Sequence, residues 1–299
     1  MRARILKAAV GAAAIATAVA VPAVATSTPT TVTTSQSDLL GLFTPSLKVI
    51  GLLDHGTELS QFSENNVRAQ NKLGSIRGLS NDRKLIGIDY RVQNGKLYGV
   101  GSRGGIYVVR PFAQGGPQAT KVGQLTVALR GSYFAVDFNP AANRLRVVSN
   151  TGQNLRHNID DPAAPFTTTV DVSLTYPPLT DTARGVTAVA YTNNDLDTDT
   201  STTLFVIDTL LDQVAIQSPA NNGTLAATGK LGITVTPSAG FDIYSTVRSG
   251  TTVELEGYAT LYRGGSYSFY EVDLLTGDVD KVGTFAHHVS DIAIPLNQR

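Results

Sequence analysis

Short apolar segments recur along the chain at a nearly fixed interval. "GIDY" (87–90), "AVDF" (135–138), "AVAY" (188–191), "GFDI" (240–243) and "DIAI" (291–294) begin 48, 53, 52 and 51 residues apart. Each of the first four is followed by a turn and a second apolar segment: "GKLYGVG" (95–101), "NRLRVVS" (143–149), "TTLFVID" (202–208) and "ATLYRGG" (259–265). A third segment comes next: "GIYVVRP" (105–111), "QNLRHNI" (153–159), "DQVAIQS" (212–218) and "SFYEVDL" (268–274). The segments are rich in β-branched and aromatic residues, alternate with period two, and end at Gly, Asn, Asp or Pro, so they read as strands. No stretch after the N-terminal apolar run sustains a 3.6-residue period for three turns, and almost no helix is expected.

A fourth strand carries a repeated Lys-aliphatic-Gly signature. It stands in "NKLGSI" (71–76), "TKVGQL" (120–125), "GKLGIT" (229–234) and "DKVGTF" (280–285), whereas the third unit has "TTTVDVSL" (167–174). Four-stranded units at a period near 50 residues indicate the blades of a β-propeller. A β-sandwich offers no reason for one Gly-bearing strand per unit. The N-terminal segment "KVIGLLDHGTELSQF" (48–62) aligns with "KLYGVGSRGGIYVV" (96–109), with Gly51 on Gly99 and Gly56 on Gly104. The N-terminal unit therefore begins at its second strand, and "DIAI" at the C-terminus is its missing first. This predicts an all-β, five-bladed propeller closed by pairing of the two chain ends. The Lys-bearing strand is expected outermost, where Lys discourages edge-to-edge pairing and Gly permits a bulge or a close backbone approach.

The N-terminus changes the picture of where the protein works. Arg2, Arg4 and Lys7 precede an Ala-rich apolar run, and "AVA" (23–25) is an A-x-A cleavage signature. This is the pattern of a secretory signal peptide over residues 1–25. Residues 26–38 are a Ser/Thr/Pro-rich linker, and residues 39–299 are expected to form one propeller domain. Secretion or cell-envelope association follows, with no integral membrane segment after cleavage. Cleavage removes three positive charges and no acidic ones, so Lys+Arg falls from 24 to 21 against 24 Asp+Glu, a net of −3. That balance argues against a nucleic-acid partner. The absence of Cys excludes thiol chemistry and leaves the fold to its core. Trp is absent as well, which weakens, without removing, the case for a carbohydrate groove.

"LIGIDYRVQNGKLYGVGSRGGIY", "FAVDFNPAANRLRVVSNTGQNLRHN", "AVAYTNN", "SPANNGTLAATGKLG" and "GFDI" together resemble the bacterial family called domain of unknown function 4394. The likeness runs from about Leu39 to Leu296. In the second of these segments the family usually has Gly-Phe before "DFNP" and Asp after "VVS", where this chain has Ala135, Val136 and Asn150. The resemblance implies a secreted or surface propeller-like protein and supplies no catalytic residues.

Three constellations carry candidate chemistry. Asp89, Asp137 and Asp242 hold one place in three inner strands, with Ala190 and Ala293 in the other two. Near a propeller axis such carboxylates could bind a metal, act as acid and base, or accept backbone N–H bonds from the adjoining turn. Arg144, Arg146 and Arg156 lie on adjacent strands and could hold a ligand carboxylate or sulfate. Ion pairs with Asp137 or Asp160 would explain them equally. Asp195, Asp197 and Asp199 alternate in a loop in a way that suits Ca²⁺, but the loop lacks the Gly and the bidentate Glu of an EF-hand, so weak binding at best is expected. His55, His157, His287 and His288 are too scattered for a metal cluster, and there is no nucleophile elbow, HExxH or phosphate loop. The reading is a binding or structural module with a cell-envelope or carbohydrate ligand. The alternative is a hydrolase or lyase acting in the central funnel. Intact-mass measurement of exported protein should show a chain starting at Thr26; retention of residues 1–25 would refute the cleavage site.

Overall fold

The computed structural model describes residues 45–163 and 166–299. The expected signal peptide, the linker and the first residues of the expected domain lie outside the described residues. The chain continues as β1 (Lys48–Leu53), β2 (Glu58–Ser63) and β3 (Asn66–Ser75). Four strands follow in β4 (Leu85–Arg91), β5 (Lys96–Gly101), β6 (Gly105–Arg110) and β7 (Gln118–Gln124). The next four are β8 (Phe134–Asn139), β9 (Arg144–Ser149), β10 (Asn154–Asn158) and β11 (Thr168–Val170). Then come β12 (Val186–Tyr191), β13 (Leu204–Asp208), β14 (Gln213–Gln217) and β15 (Leu225–Lys230). The last are β16 (Ala239–Arg248), β17 (Thr251–Arg263), β18 (Ser266–Val272), β19 (Val279–Thr284) and β20 (Val289–Ala293).

These strands form five antiparallel four-stranded sheets, four of them in chain order and the fifth in the order β20-β1-β2-β3. The C-terminal strand thus pairs with the N-terminal one, Ile50 opposite Ala293 and Gly51 opposite Ile292. This is the five-bladed propeller with the closure that the sequence predicts. The core lies between blades rather than within one. One cluster joins Val214 and Phe205 to Phe241 and Leu261 across blades four and five, and another joins Phe62 and Val49 to Phe269 and Tyr258 across blades five and one. The other three interfaces are filled in the same way. Middle strands are therefore covered on both faces, and β13 is buried at every position. That is why "LFVI" (204–207) reads as a continuous apolar run rather than an alternating one.

The repeated signature on the outer strands encodes a β-bulge. Leu59 faces Gly74 and Ser60 faces Lys72, so Leu73 is the extra residue. Val122 and Val282 are extra in the same way, each before a Gly. A bulge twists an edge strand away from flat pairing. In the fourth blade the structure corrects the expected alignment. There the bulge falls at Thr228, next to Gly229, and Lys230 lies beyond it, donating to the Leu211 carbonyl at 2.7 Å. "GKLG" in that blade resembles the other copies without occupying their place, because the bulge is set by Gly229, not by Gly232.

Closure concentrates several interactions on nine residues. Ile292 and Ile294 are buried in the interface between blades five and one, and Ala293 in that between blades one and two. Arg299 pairs with Glu64 and Glu256. A chain stopped after Ser290 loses two fully buried Ile side chains, about 1.5–3 kcal/mol each, together with these bonds. Its melting temperature should fall by about 10 °C or more, at about 2–4 °C per kcal/mol for a domain of this size. A truncated chain that melts within a few degrees of the intact one would contradict the closure.

Candidate functional site

The five inner strands, β4, β8, β12, β16 and β20, surround the axis. Asp89, Asp137 and Asp242 meet there, each offering a carboxylate oxygen within 4.8 Å of the others, and all three are buried. Their hydrogen bonds run from blade to blade. Asp89 Oδ2 accepts from Phe138 N at 2.8 Å, Asp137 Oδ1 from Tyr191 N at 3.2 Å, and Asp242 Oδ2 from Ile294 N at 2.6 Å. The partners are the next inner strands, not the adjoining turns that the sequence suggests. A fourth carboxylate completes the pattern: Asp291 Oδ2 accepts from Ile88 N at 2.8 Å. Asp291 sits two residues before the place held by Asp89, and small neighbours make room for it. A Cβ on Gly240 would lie 2.5 Å from Asp291 Cα, and one on Gly87 would lie 3.3 Å from its Oδ2.

Three buried acids and the half-buried Asp291 thus gather around one axis. Desolvation, reinforced by neighbouring carboxyls, pushes Asp89, Asp137 and Asp291 well above the usual carboxylate range. Desolvation raises Asp242 to about 6, with its N–H bonds from Ile294 and Ile243 opposing. The group is chemically able to hold a cation only by giving up these protons.

The three arginines meet in a different place. Arg144 and Arg146 on β9, and Arg156 on β10, line one pocket of about 200 Å³ with Asn139, Tyr191 and Asn221. Arg156 stands directly opposite Arg146 across the strand pair. Two like charges in that relation repel, and Asp171 offsets them by bonding both, at 2.7 Å to Arg146 Nη1 and 2.9 Å to Arg156 Nε. Arg146 is 3% exposed and spends four of its five N–H donors, with further bonds to Asn154, Asn221 and Tyr191. Arg144 pairs with Asp161 at 2.8 Å. The expected partners are thereby corrected. Asp160 is taken by Arg91, and Asp137, although opposite Arg146 in register, turns to Tyr191.

The acidic loop is used for docking. Asp195 Oδ2 accepts from Thr252 N and Oγ1, and its Oδ1 from Asp197 N. Asp197 accepts from Thr251 Oγ1 and Asp199 N. Both oxygens of Asp195 and of Asp197 are therefore occupied, and a Ca²⁺ would have to displace bonds that fasten blade four to blade five.

A family comparison bears on the whole of this architecture. The model of the family described as domain of unknown function (DUF4394) matches residues 58–293. The chain belongs to that family. No curated protein matches it. Among solved structures, it is similar to a protein of unknown function from Bacteroides thetaiotaomicron, at 15% identity and TM-score 0.43, covering 86% of this chain and 69% of the other. It is similar to an auxiliary nutrient binding protein from the same organism at 10% identity and TM-score 0.43, covering 83% and 69%. It is also similar to Kuenenia stuttgartiensis hydrazine synthase at 12% identity and TM-score 0.41, covering 72% of this chain and 53%, about half, of the other.

In this DUF4394 chain, sequence reasoning missed Asp291, Asp171, Tyr191 and Asn221. Period-two parity was the available signal for Asp291, since residues two apart share a strand face. Nothing in the sequence marks Asp171 as the partner of two arginines, because the pairing of β11 with β10 decides where it lands.

The axial acids make a pH prediction. An acid whose folded value lies above its unfolded value of about 3.9 holds its proton more tightly in the folded state. Its contribution is fully present below the unfolded value and is lost as pH rises through the folded one. For Asp242 the window runs from about pH 4 to about pH 6. Buried His157, lowered by desolvation, acts in the opposite sense, since its contribution is present above the unfolded value of about 6.5 and is lost as pH falls below it. Comparison with Asp242→Asn, which keeps an acceptor for Ile294 N, cancels His157. Between about pH 4.5 and 7, wild type should lose about 1–3 kcal/mol relative to this variant in urea unfolding. A pH-independent difference would contradict the raised value.

Proposed function

We propose that this propeller is a secreted binding module that captures a small ligand in the pocket between blades three and four. One observation carries the reading. The arginines singled out in the sequence converge on one cleft, and the Nη1 and Nη2 groups of Arg156 make no hydrogen bond within the described residues. An idle guanidinium fork beside a polar cavity suits ligand recognition. The pocket lies where β8 and β12 end, away from a smaller cleft of about 100 Å³ at the opposite ends of the inner strands, lined by Ile86, Phe134, Thr187, Ala239 and Ser290.

Hydrolase or lyase chemistry in the central funnel finds less support. It would need carboxylates facing a substrate, and Asp89, Asp242 and Asp291 are directed at backbone N–H groups of neighbouring blades. Export is carried by the N-terminal signal, and the mature net charge of −3 disfavours nucleic acid. No helix among the described residues is long and apolar enough to cross a membrane.

Ala142 gives a clean test, because it lines the pocket from an exposed turn. Thermal shift with a panel of small carboxylates and neutral sugars should find a compound that stabilises wild type. The Ala142→Trp variant should melt as wild type does and lose that response. A response that survives Ala142→Trp would place binding elsewhere, and a panel without effect on wild type would contradict the reading.

A further inference from the structure

We infer that the pocket takes a small hydroxylated carboxylate of the sugar-acid kind, its carboxylate held by the Arg156 guanidinium. The inference rests on the reading of this cleft as the binding site and names the chemistry it selects.

The hydrogen-bond inventory of the walls is one-sided. Arg156 spends only Nε on the protein, at 2.9 and 3.1 Å to Asp171, and keeps four N–H donors on Nη1 and Nη2. The Tyr191 hydroxyl accepts from Arg146 Nε at 3.3 Å and donates to no described residue. Asn221 Oδ1 accepts from Arg146 Nη2 at 2.7 Å, which leaves its amide N–H₂ unused. Asn139 Oδ1 accepts from Ala142 N at 2.8 Å, with the same result. Each side-chain acceptor is thus committed to the protein, while the donors of four side chains are left over. Tyr191 is otherwise buried, so its unspent donor is met only from the cavity, by water or by a ligand oxygen.

Charge points the same way. Arg144, Arg146 and Arg156 meet Asp161 and Asp171, three positive against two negative. A ligand bringing one negative charge neutralises the cluster. Planar carboxylate matches a guanidinium fork with two parallel bonds, and hydroxyl oxygens match the amide and phenol donors spread around it. Size limits the choice. About 200 Å³ equals the liquid share of roughly six or seven waters, room for one monosaccharide-sized acid. The same acid could arrive free or as the terminal residue of a polymer.

The test uses calorimetry of the mature protein with galacturonate, its methyl ester, galactose, sulfate and a galacturonate trimer. Galacturonate should bind, and the ester and galactose should bind about 10-fold or more weakly, as expected for a lost charge-assisted bond. Arg156 is 36% exposed and has one protein partner, so Arg156→Gln should fold. It should lose the preference for the acid over the ester, with Arg156→Lys recovering part of it. Raising salt should weaken the acid and spare galactose. Trimer affinity equal to or above that of the monomer would assign a chain end, and weaker trimer binding a free acid; both support the proposal. Equal binding of acid and ester, blocked by Ala142→Trp but not by Arg156→Gln, would overturn the carboxylate assignment and leave the pocket intact. Sulfate binding with no response to galacturonate would also overturn it. Binding insensitive to both variants would overturn the pocket itself.

Discussion

Backbone amides of one inner strand donate to a carboxyl of the previous blade, and this relation holds the centre of the molecule. Asp291, Asp89, Asp137 and Asp242 reach Ile88, Phe138, Tyr191 and Ile294 respectively. The inner strand of a propeller blade has its ladder bonds on one side only. Its outward N–H groups near the axis are hidden from water and must find another acceptor. A short carboxyl side chain from the neighbouring strand supplies it. Asp89, Asp137 and Asp242, buried within 4.8 Å of one another, cannot all be ionised together in a desolvated site, so proton retention and the fold are parts of one arrangement. The junction from blade four to blade five lacks the acid, since Ala190 stands in its place. There Asn194 bonds Ser245 Oγ and the Ile243 carbonyl, and Asp195 and Asp197 reach Thr251 and Thr252 at the tip of the long hairpin. The acidic loop is the substitute for the missing axial carboxyl.

This arrangement separates two roles that the sequence left together. Acids near the axis do the work of assembly, while the polar groups with capacity to spare lie in the side pocket. Arg146 marks the boundary between the roles. It is buried with four of its five donors spent, and it positions Tyr191 and Asn221 by occupying their acceptor oxygens. Arg156, one strand further out, commits only its Nε–H.

Most of the fold was legible because it is written five times. A period near 50 residues, a Gly-bearing outer strand and a unit split between the two termini leave few alternatives to a closed ring. The individual partners were less legible. The Lys-Leu-Gly of the fourth blade aligns with the other copies by composition, and only strand pairing shows that the bulge falls at Thr228, three residues before Leu231. The three arginines are predictable on one sheet, but their counter-ions are Asp161, past the end of β10, and Asp171, just after β11, and tertiary packing decides where both lie. Asp89, Asp137 and Asp242 were recognised as equivalent by position. Asp291 escaped because it uses the other residue of the same parity, allowed by glycines at 87 and 240 in blades far away in the chain.

The protonated axial cluster is the claim on which the account turns, and proton counting on unfolding tests it most directly. The mature protein is unfolded with urea at pH 7 in weak buffer containing an indicator dye. Acids held above their ordinary range must release protons on exposure to water, so about one proton or more per chain should be released, less a fraction taken up by His157. Net uptake, or no change, would mean that the axial carboxyls are already ionised in the folded chain. They would then require a counter-ion, and the axis would be a charged centre rather than a hydrogen-bonded one.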